Sequence, residues 1–387
     1  MNLSDFLAPV DPVTMMDLYD TSNSQWVNHI CFNIEEAEDI DIAIVGVCED
    51  RGSTNNKGCA NGPDEVRKHL YQLFKNEYDI KIADFGNIIS GASKKDTYVA
   101  LSTVVEELVS KNIVPIILGG SHDLTYAQYL GYAKVGEIIN AAVIDEKIDL
   151  KDIEEGEEVN SSNFLLHLLT HNPSYIFNYS HLGHQVYLTD PKALDALDNL
   201  NFDTFRLGKI RDDIREIEPI IRDADLISFD IASIRQSDAP GHKAATPNGL
   251  NAEEACRIVR YAGISDKCTS FGLYGFNPEY DKNSITSQLM AQLVWHFVDG
   301  FYARKSDYPV VNHVEFKKFI VEMDEIDHEL VFWKSKRSDR WWIQVPYQEN
   351  NVATRHTLVP CSYSDYEMAM KSEIPEVWLR ASRRMTI

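Results

Sequence analysis

Ile138-Ile139-Asn140-Ala141-Ala142-Val143-Ile144-Asp145-Glu146-Lys147-Ile148-Asp149 is the stretch whose reading decides the fold. Its largely apolar run, Ile138 to Ile144, predicts a strand buried on both faces, as in a parallel sheet. Two carboxylates follow at the C-terminal end, where open α/β sheets place their chemistry. Oxygen ligands at i and i+4 suit a hard divalent cation, and a histidine at i+2 would add an imidazole. Lys147 stands there instead, and a protonated amine cannot ligate. Whether this is a metal motif or a replaced one decides the function.

Outward from that strand, the same punctuation recurs. Asp41 to Val47 reads as a first strand, followed by a loop rich in Gly and Asn and a helix opened by Gly62-Pro63-Asp64. Pro63 fits the first helical turn, and Asp64 and Glu65 favour the helix dipole. Ile80 to Phe85 and Ile113 to Leu118 predict strands; Lys94 to Ser110 has helical spacing. Beyond the quoted stretch, Tyr175 to Asn178, Leu226 to Phe229 and Thr269 to Tyr274 predict further strands, alternating with helices over Ala252 to Tyr261 and Ile285 to Phe301. Strands alternating with helices argue for a parallel sheet covered on both faces.

Composition narrows the class. The chain has 387 residues and a formal net charge of -23, with 37 basic against 60 acidic residues. That balance predicts repulsion from nucleic acid and anionic membranes. Six cysteines without a CxxC pair read as free thiols in a reducing compartment. Met1 to Asp20 lacks a basic and an apolar signal region, so a cytoplasmic location is expected. Three parts are predicted: an N-terminal arm at 1–40, an α/β domain at 41–307 and a small α+β appendage at 308–387. The appendage reads as a hairpin, Leu330 to Trp333 with Trp341 to Val345, followed by two short helices. It holds four of the six tryptophans. Basic residues interleave with these rings, but at this net charge rings packed on the main domain are the expectation.

Several strand ends carry polar residues: Gly119-Gly120-Ser121-His122-Asp123, then Asp145-Glu146-Lys147-Ile148-Asp149, then Ser228-Phe229-Asp230-Ile231-Ala232. In this order they resemble the arginase, agmatinase and formimidoylglutamase family of ureohydrolases, over about residues 40–305. Gly46 to Gly52 (GVCEDRG), Gly62-Pro63-Asp64-Glu65-Val66-Arg67 and Leu182-Gly183-His184-Gln185 look most like formimidoylglutamases. The resemblance implies a three-layer α/β/α fold with a mainly parallel sheet of about eight strands. It also implies two bridged manganese ions that activate a water, and a homo-oligomer by analogy.

Carried over residue by residue, the resemblance makes His122 and Asp149 ligands of a first metal and Asp145 and Asp230 bridging ligands. The two positions exclusive to the second metal hold Lys147, where the family has histidine, and Ala232, where it has aspartate. The family's substrate-gripping acid corresponds to Gly275, within Gly275-Phe276-Asn277-Pro278, and the arginase histidine shuttle falls at Leu165, with His167 two residues on.

These departures imply one Mn2+ at the first site and none at the second. Lys147 is expected to act as a surrogate cation, its Nζ within salt-bridge reach of Asp145 and Asp230. The functional expectation is a catalytically impaired family member that binds or scaffolds, with a protein partner on the appendage. The alternative is an active hydrolase of linear amidines that uses one metal plus Lys147, as second positive charge or as a base of lowered pKa.

Overall fold

The computed structural model describes all residues except 1–2, 16–21, 35–36, 38, 78, 309–314, 324–328, 350–351 and 386–387. Strand alternation sets the layers. In Ile42–Gly46 (β1) the side chains of Ile42 and Ile44 enter one hydrophobic cluster and those of Ala43 and Val45 another. A strand apolar on both faces requires helices above and below it. Helices Gly62–Leu70, Ala252–Ile264 and Ile285–Tyr302 supply one cluster; Lys94–Ser110, Leu124–Val135 and Phe164–Leu169 supply the other. Two of these helices begin with reciprocal capping boxes, Ser93 with Asp96 and Asn251 with Glu254, which satisfy amides that a helix start leaves unpaired.

The other parallel strands are Ile82–Ile88 (β2), Val114–Leu118 (β3), Ile139–Ile144 (β4), Ile176–His184 (β5), Asp203–Arg206 (β6), Leu226–Asp230 (β7) and Ser270–Tyr274 (β8). Their spatial order is β2-β1-β3-β8-β7-β4-β5-β6. Strands β3, β8, β7 and β4 are therefore neighbours at the centre, and their C-terminal ends open on one cleft. The expected three-layer α/β/α architecture is the one observed.

The arm adds two short pieces to the outer edge of β2. Leu7–Ala8 pairs antiparallel to it, and Ile30–Cys31 pairs parallel at its other end. Gly86 permits the first pairing: its φ is +79°, and a Cβ there would stand 2.0 Å from the Ala8 carbonyl oxygen. β5 runs further than the sequence suggests. At its buried polar end His181 is partnered on both ring nitrogens, Nδ1 2.9 Å from Tyr179 Oη and Nε2 3.2 Å from the Asp145 carbonyl oxygen.

After the body come four antiparallel strands in chain order: Phe316–Val321 (β9), Leu330–Ser335 (β10), Trp341–Glu349 (β11) and Val352–Cys361 (β12). The predicted hairpin is β10 with β11, Trp333 opposite Trp342. Strands β9 and β12 were not anticipated; Lys317 and Lys318 interrupt the apolar pattern of β9. Helices Tyr363–Met370 and Glu376–Arg384 complete this unit. Its four tryptophans are only 2–7 % exposed, so the interleaved aromatics serve packing.

The unit docks on the body through arginines. The Arg222 guanidinium lies 4.5 Å from the Trp342 ring centroid and donates to the Trp341 carbonyl oxygen at 3.2 Å. Arg380 and Arg384 donate to the carbonyl oxygens of Phe202 and Asn201, each at 2.6 Å, where the chain enters edge strand β6. All six cysteines are free thiols, three of them buried. Among the described residues no helix is long and apolar enough to cross a membrane.

Candidate metal centre

The loops after β3, β4, β7 and β8 converge over the four central strands. They line a polar cleft of about 70 Å³ that includes His122, Asp145, Glu146, Lys147, Asp149, Asp230, Ala232, His242 and Gly275. His122 Nδ1 is 3.3 Å from Asp145 Oδ2, 3.4 Å from Asp149 Oδ2 and 3.2 Å from Asp230 Oδ2. It nevertheless makes no well-aligned hydrogen bond to any of them. A buried imidazole nitrogen facing three carboxylate oxygens at such separations fits the edges of a coordination shell with bonds of about 2.1 Å. His122, Asp145 and Asp149, whose ligand atoms lie within 4.8 Å of one another, suit one divalent cation; Asp230 faces His122 but stands outside that group.

Electrostatics agrees with that fit. Burial pushes the carboxyls of Asp145, Asp149 and Asp230 upward. Burial alone would also oppose a charge on His122, but Asp230, Asp145 and Asp149 outweigh it and drive the imidazole well up. The carboxylates demand positive charge from whatever faces them. The far side of the ring is held by a hydroxyl chain: His122 Nε2 is 3.1 Å from Ser228 Oγ, which is 2.7 Å from Thr125 Oγ1.

A second cation meets a different environment. The other oxygens of Asp145 and Asp230 accept backbone amides, from Glu146 to Asp145 Oδ1 at 2.6 Å and from Ala232 to Asp230 Oδ1 at 2.7 Å. Lys147 and Ala232 provide no ligand at neutral pH.

Lys147 itself corrects an expectation. Its Nζ lies 3.2 Å from Glu146 Oε1, and forms no ion pair with Asp145 or Asp230. The backbone amides already serve the outer oxygens of those two carboxylates, whereas the Glu146 side chain is fully buried. Burial pushes the Glu146 carboxyl up to about 7, against the pull of Lys147. Thr246 Oγ1 lies 3.0 Å from Glu146 Oε2 and 2.7 Å from the Asn248 carbonyl oxygen, two acceptors for its single proton. Burial opposes the Lys147 charge, but Glu146, Asp145 and Asp149 together raise its pKa. That is the wrong direction for a lysine base.

Among the other candidates, Gly275 lines the cleft with φ +81°. Leu165 is fully buried, and His167 lies outside the cleft with its ring 6.0 Å from that of Tyr126. Two titratable cleft residues escaped the sequence reading: Glu146, adjacent to a candidate ligand, and His242, in the loop after β7. The signal for His242 was an imidazole directly after Pro240-Gly241, in the loop downstream of Asp230.

Comparison with known proteins agrees with the architecture. The chain is 25% identical over 300 residues to a formimidoylglutamase of Clostridium tetani, covering 71% of this chain and 88% of that one. It is 27% identical over 266 residues to one of Staphylococcus aureus, covering 66% and 85%. A manganese-bound formiminoglutamase of Trypanosoma cruzi superposes with TM-score 0.67 at 19% identity, over 74% of this chain and 100% of that one. The formimidoylglutamase of Bacillus subtilis gives 0.66 at 20%, over 74% and 95%. The arginase family model matches residues 40–299, the body that carries the cleft, and the chain belongs to the arginase family.

Proposed function

We propose that this chain is a formimidoylglutamase-like family member that binds one divalent cation, of the manganese class, and is impaired in two-metal hydrolysis. His122, Asp145, Asp149 and Asp230 would hold the cation. Bound there, it would supply charge to polarise an oxygen or amidine nitrogen of a ligand. The observation that carries the reading is the pair Lys147 and Ala232, with the outer oxygens of Asp145 and Asp230 given to backbone amides. The protein then acts by binding, in the cleft or through the appendage.

Its test is metal stoichiometry and turnover together. Calorimetric titration with Mn2+ should give one site, abolished in Asp149→Ala. N-formimidoyl-glutamate, arginine and agmatine should not be turned over, while Lys147→His with Ala232→Asp should add a second metal. Two equivalents in the natural sequence would sink the reading. A pull-down with and without residues 308–387 tests whether the appendage carries a partner.

A second reading has one observation in its favour. Glu146, poised at about 7 beside a charged Lys147, is a carboxyl able to exchange a proton near neutrality. An active one-metal hydrolase would use it, and turnover lost in Glu146→Gln but with metal binding retained would establish that alternative.

A further inference from the structure

Asn56, in the loop after β1, is 3 % exposed and joins three loops around the cleft through one planar amide. Its Nδ2 donates to the Gly275 carbonyl oxygen at 2.7 Å, in the loop after β8. Its Oδ1 accepts the Lys243 amide at 3.1 Å, in the loop after β7, and Asn277 Nδ2 at 3.2 Å. A carbonyl only accepts and a backbone amide only donates, so the orientation of the Asn56 side chain is fixed. Aspartate would lose the donor there, and leucine both groups.

The Gly275 end of this tie reaches the metal centre. Both polar groups of the Gly275 backbone are held: its N–H donates to the Gly120 carbonyl oxygen at 2.8 Å, and its own carbonyl accepts from Asn56. Between these ties the residue keeps φ +81°, with its α-carbon against Asp230 Oδ1, closer than a methyl group would allow. A glycine left to itself takes either sign of φ, so this wall is only as firm as its ties. The same Asp230 oxygen accepts the Ala232 amide at 2.7 Å, and Oδ2 is left to face His122 Nδ1 at 3.2 Å.

We infer that Asn56 is a positioning residue for the cation site. By pinning the Gly275 carbonyl it keeps the glycine wall against Asp230, and so sets where Asp230 Oδ2 stands relative to His122. Its own side-chain partners are Gly275, Lys243 and Asn277, and it acts on the carboxylate only through the first of them. The inference rests on the one-cation reading for its metal readout, but its exchange readout needs no metal, so the two can fail separately.

The test compares hydrogen exchange, residue by residue, in metal-free full-length protein. In Asn56→Leu the Lys243 amide should exchange about tenfold faster, having lost its acceptor, and so should the Ala232 amide, whose acceptor is Asp230. The ladder amides of β7 should keep their rates, which separates release of Asp230 from general loosening. Mn2+ should then bind about tenfold more weakly, the low end of what partners behind a metal ligand are worth. Asn56→Ser, smaller and still polar, should show the same pattern if the leucine variant does not fold. Arg222→Ala, destabilising but remote, should leave the Mn2+ affinity unchanged. A faster Lys243 amide beside an unchanged Ala232 rate would overturn the inference and leave Asn56 a tie between loops. An unchanged Mn2+ affinity in both Asn56 variants would overturn it as well. Natural protein that binds no Mn2+ would strike the cation reading, and the Ala232 rate would still decide whether Asn56 positions Asp230.

Discussion

Gly275 and Asp230 leave no room for a side chain between them: a Cβ on residue 275 would stand 2.4 Å from Asp230 Oδ1, and the residue holds φ +81°. The position aligned with the family's gripping acid is closed by a candidate metal ligand. Gly275→Ala should therefore cost about 1–3 kcal/mol of stability through backbone strain and contact. It should also weaken Mn2+ binding by displacing Asp230. Denaturant melts and calorimetric titration check both, and Gly275→Glu should lose metal affinity and not gain hydrolysis.

Ser228 and Thr125 set the orientation of His122 without touching the carboxylates. Partners on the far nitrogen of a metal-binding histidine are typically worth about 10–100-fold in affinity. Ser228→Ala is expected to weaken Mn2+ at least tenfold, with the fold retained by circular dichroism. Thr125→Val, one hydroxyl further out, should cost less. Equal affinity in Ser228→Ala and the natural sequence would remove the hydroxyl chain from the site.

Arg222 joins the appendage to the body. It stacks on Trp342, pairs with Glu218 at 3.0 Å and donates to Trp341 while being 5 % exposed. Arg222→Ala should cost about 3 kcal/mol, since it empties a buried stack and strands the Trp341 carbonyl. The loss should appear first as faster proteolysis of the segment after Asp307, read by mass spectrometry.

Asp225 supplies a pH dependence remote from the cleft. Burial pushes its carboxyl up to about 6, opposed by Lys267 and the Asn140 amide. A folded-state value above the unfolded one means its contribution is fully present below about pH 4 and is lost as pH rises towards 6. Asp225→Asn should thus gain on the order of 2 kcal/mol over the natural sequence between pH 4 and 7. Urea melts of the two proteins at both pH values measure that difference, and parallel pH curves would contradict it.

The central strands were legible because each is apolar, short and followed by Gly or Asp; β3, β4, β7 and β8 begin within one residue of their expected starts or on them. His122 and the three carboxylates that face it were legible through motif order, and their approach follows from strand order. The position of Lys147 was not. Its expected partners depend on which carboxylate oxygens the backbone already occupies, and the Glu146 and Ala232 amides decide that. His242 was invisible because a lone loop histidine carries no spacing. β6 and the arm pieces were missed because edge segments of two to four residues present too little pattern to separate from loop.

Two segments outside the family-matched body meet the two margins of its sheet: the arm pairs along β2, and Arg380 and Arg384 grip the turn into β6. An open ladder of amides and carbonyls is a template for another chain. Removing the arm would therefore leave the outer ladder of β2 open to strand addition. A version that lacks the arm but preserves the whole cleft is expected to polymerise through strand addition along β2, so the arm doubles as a guard against self-association.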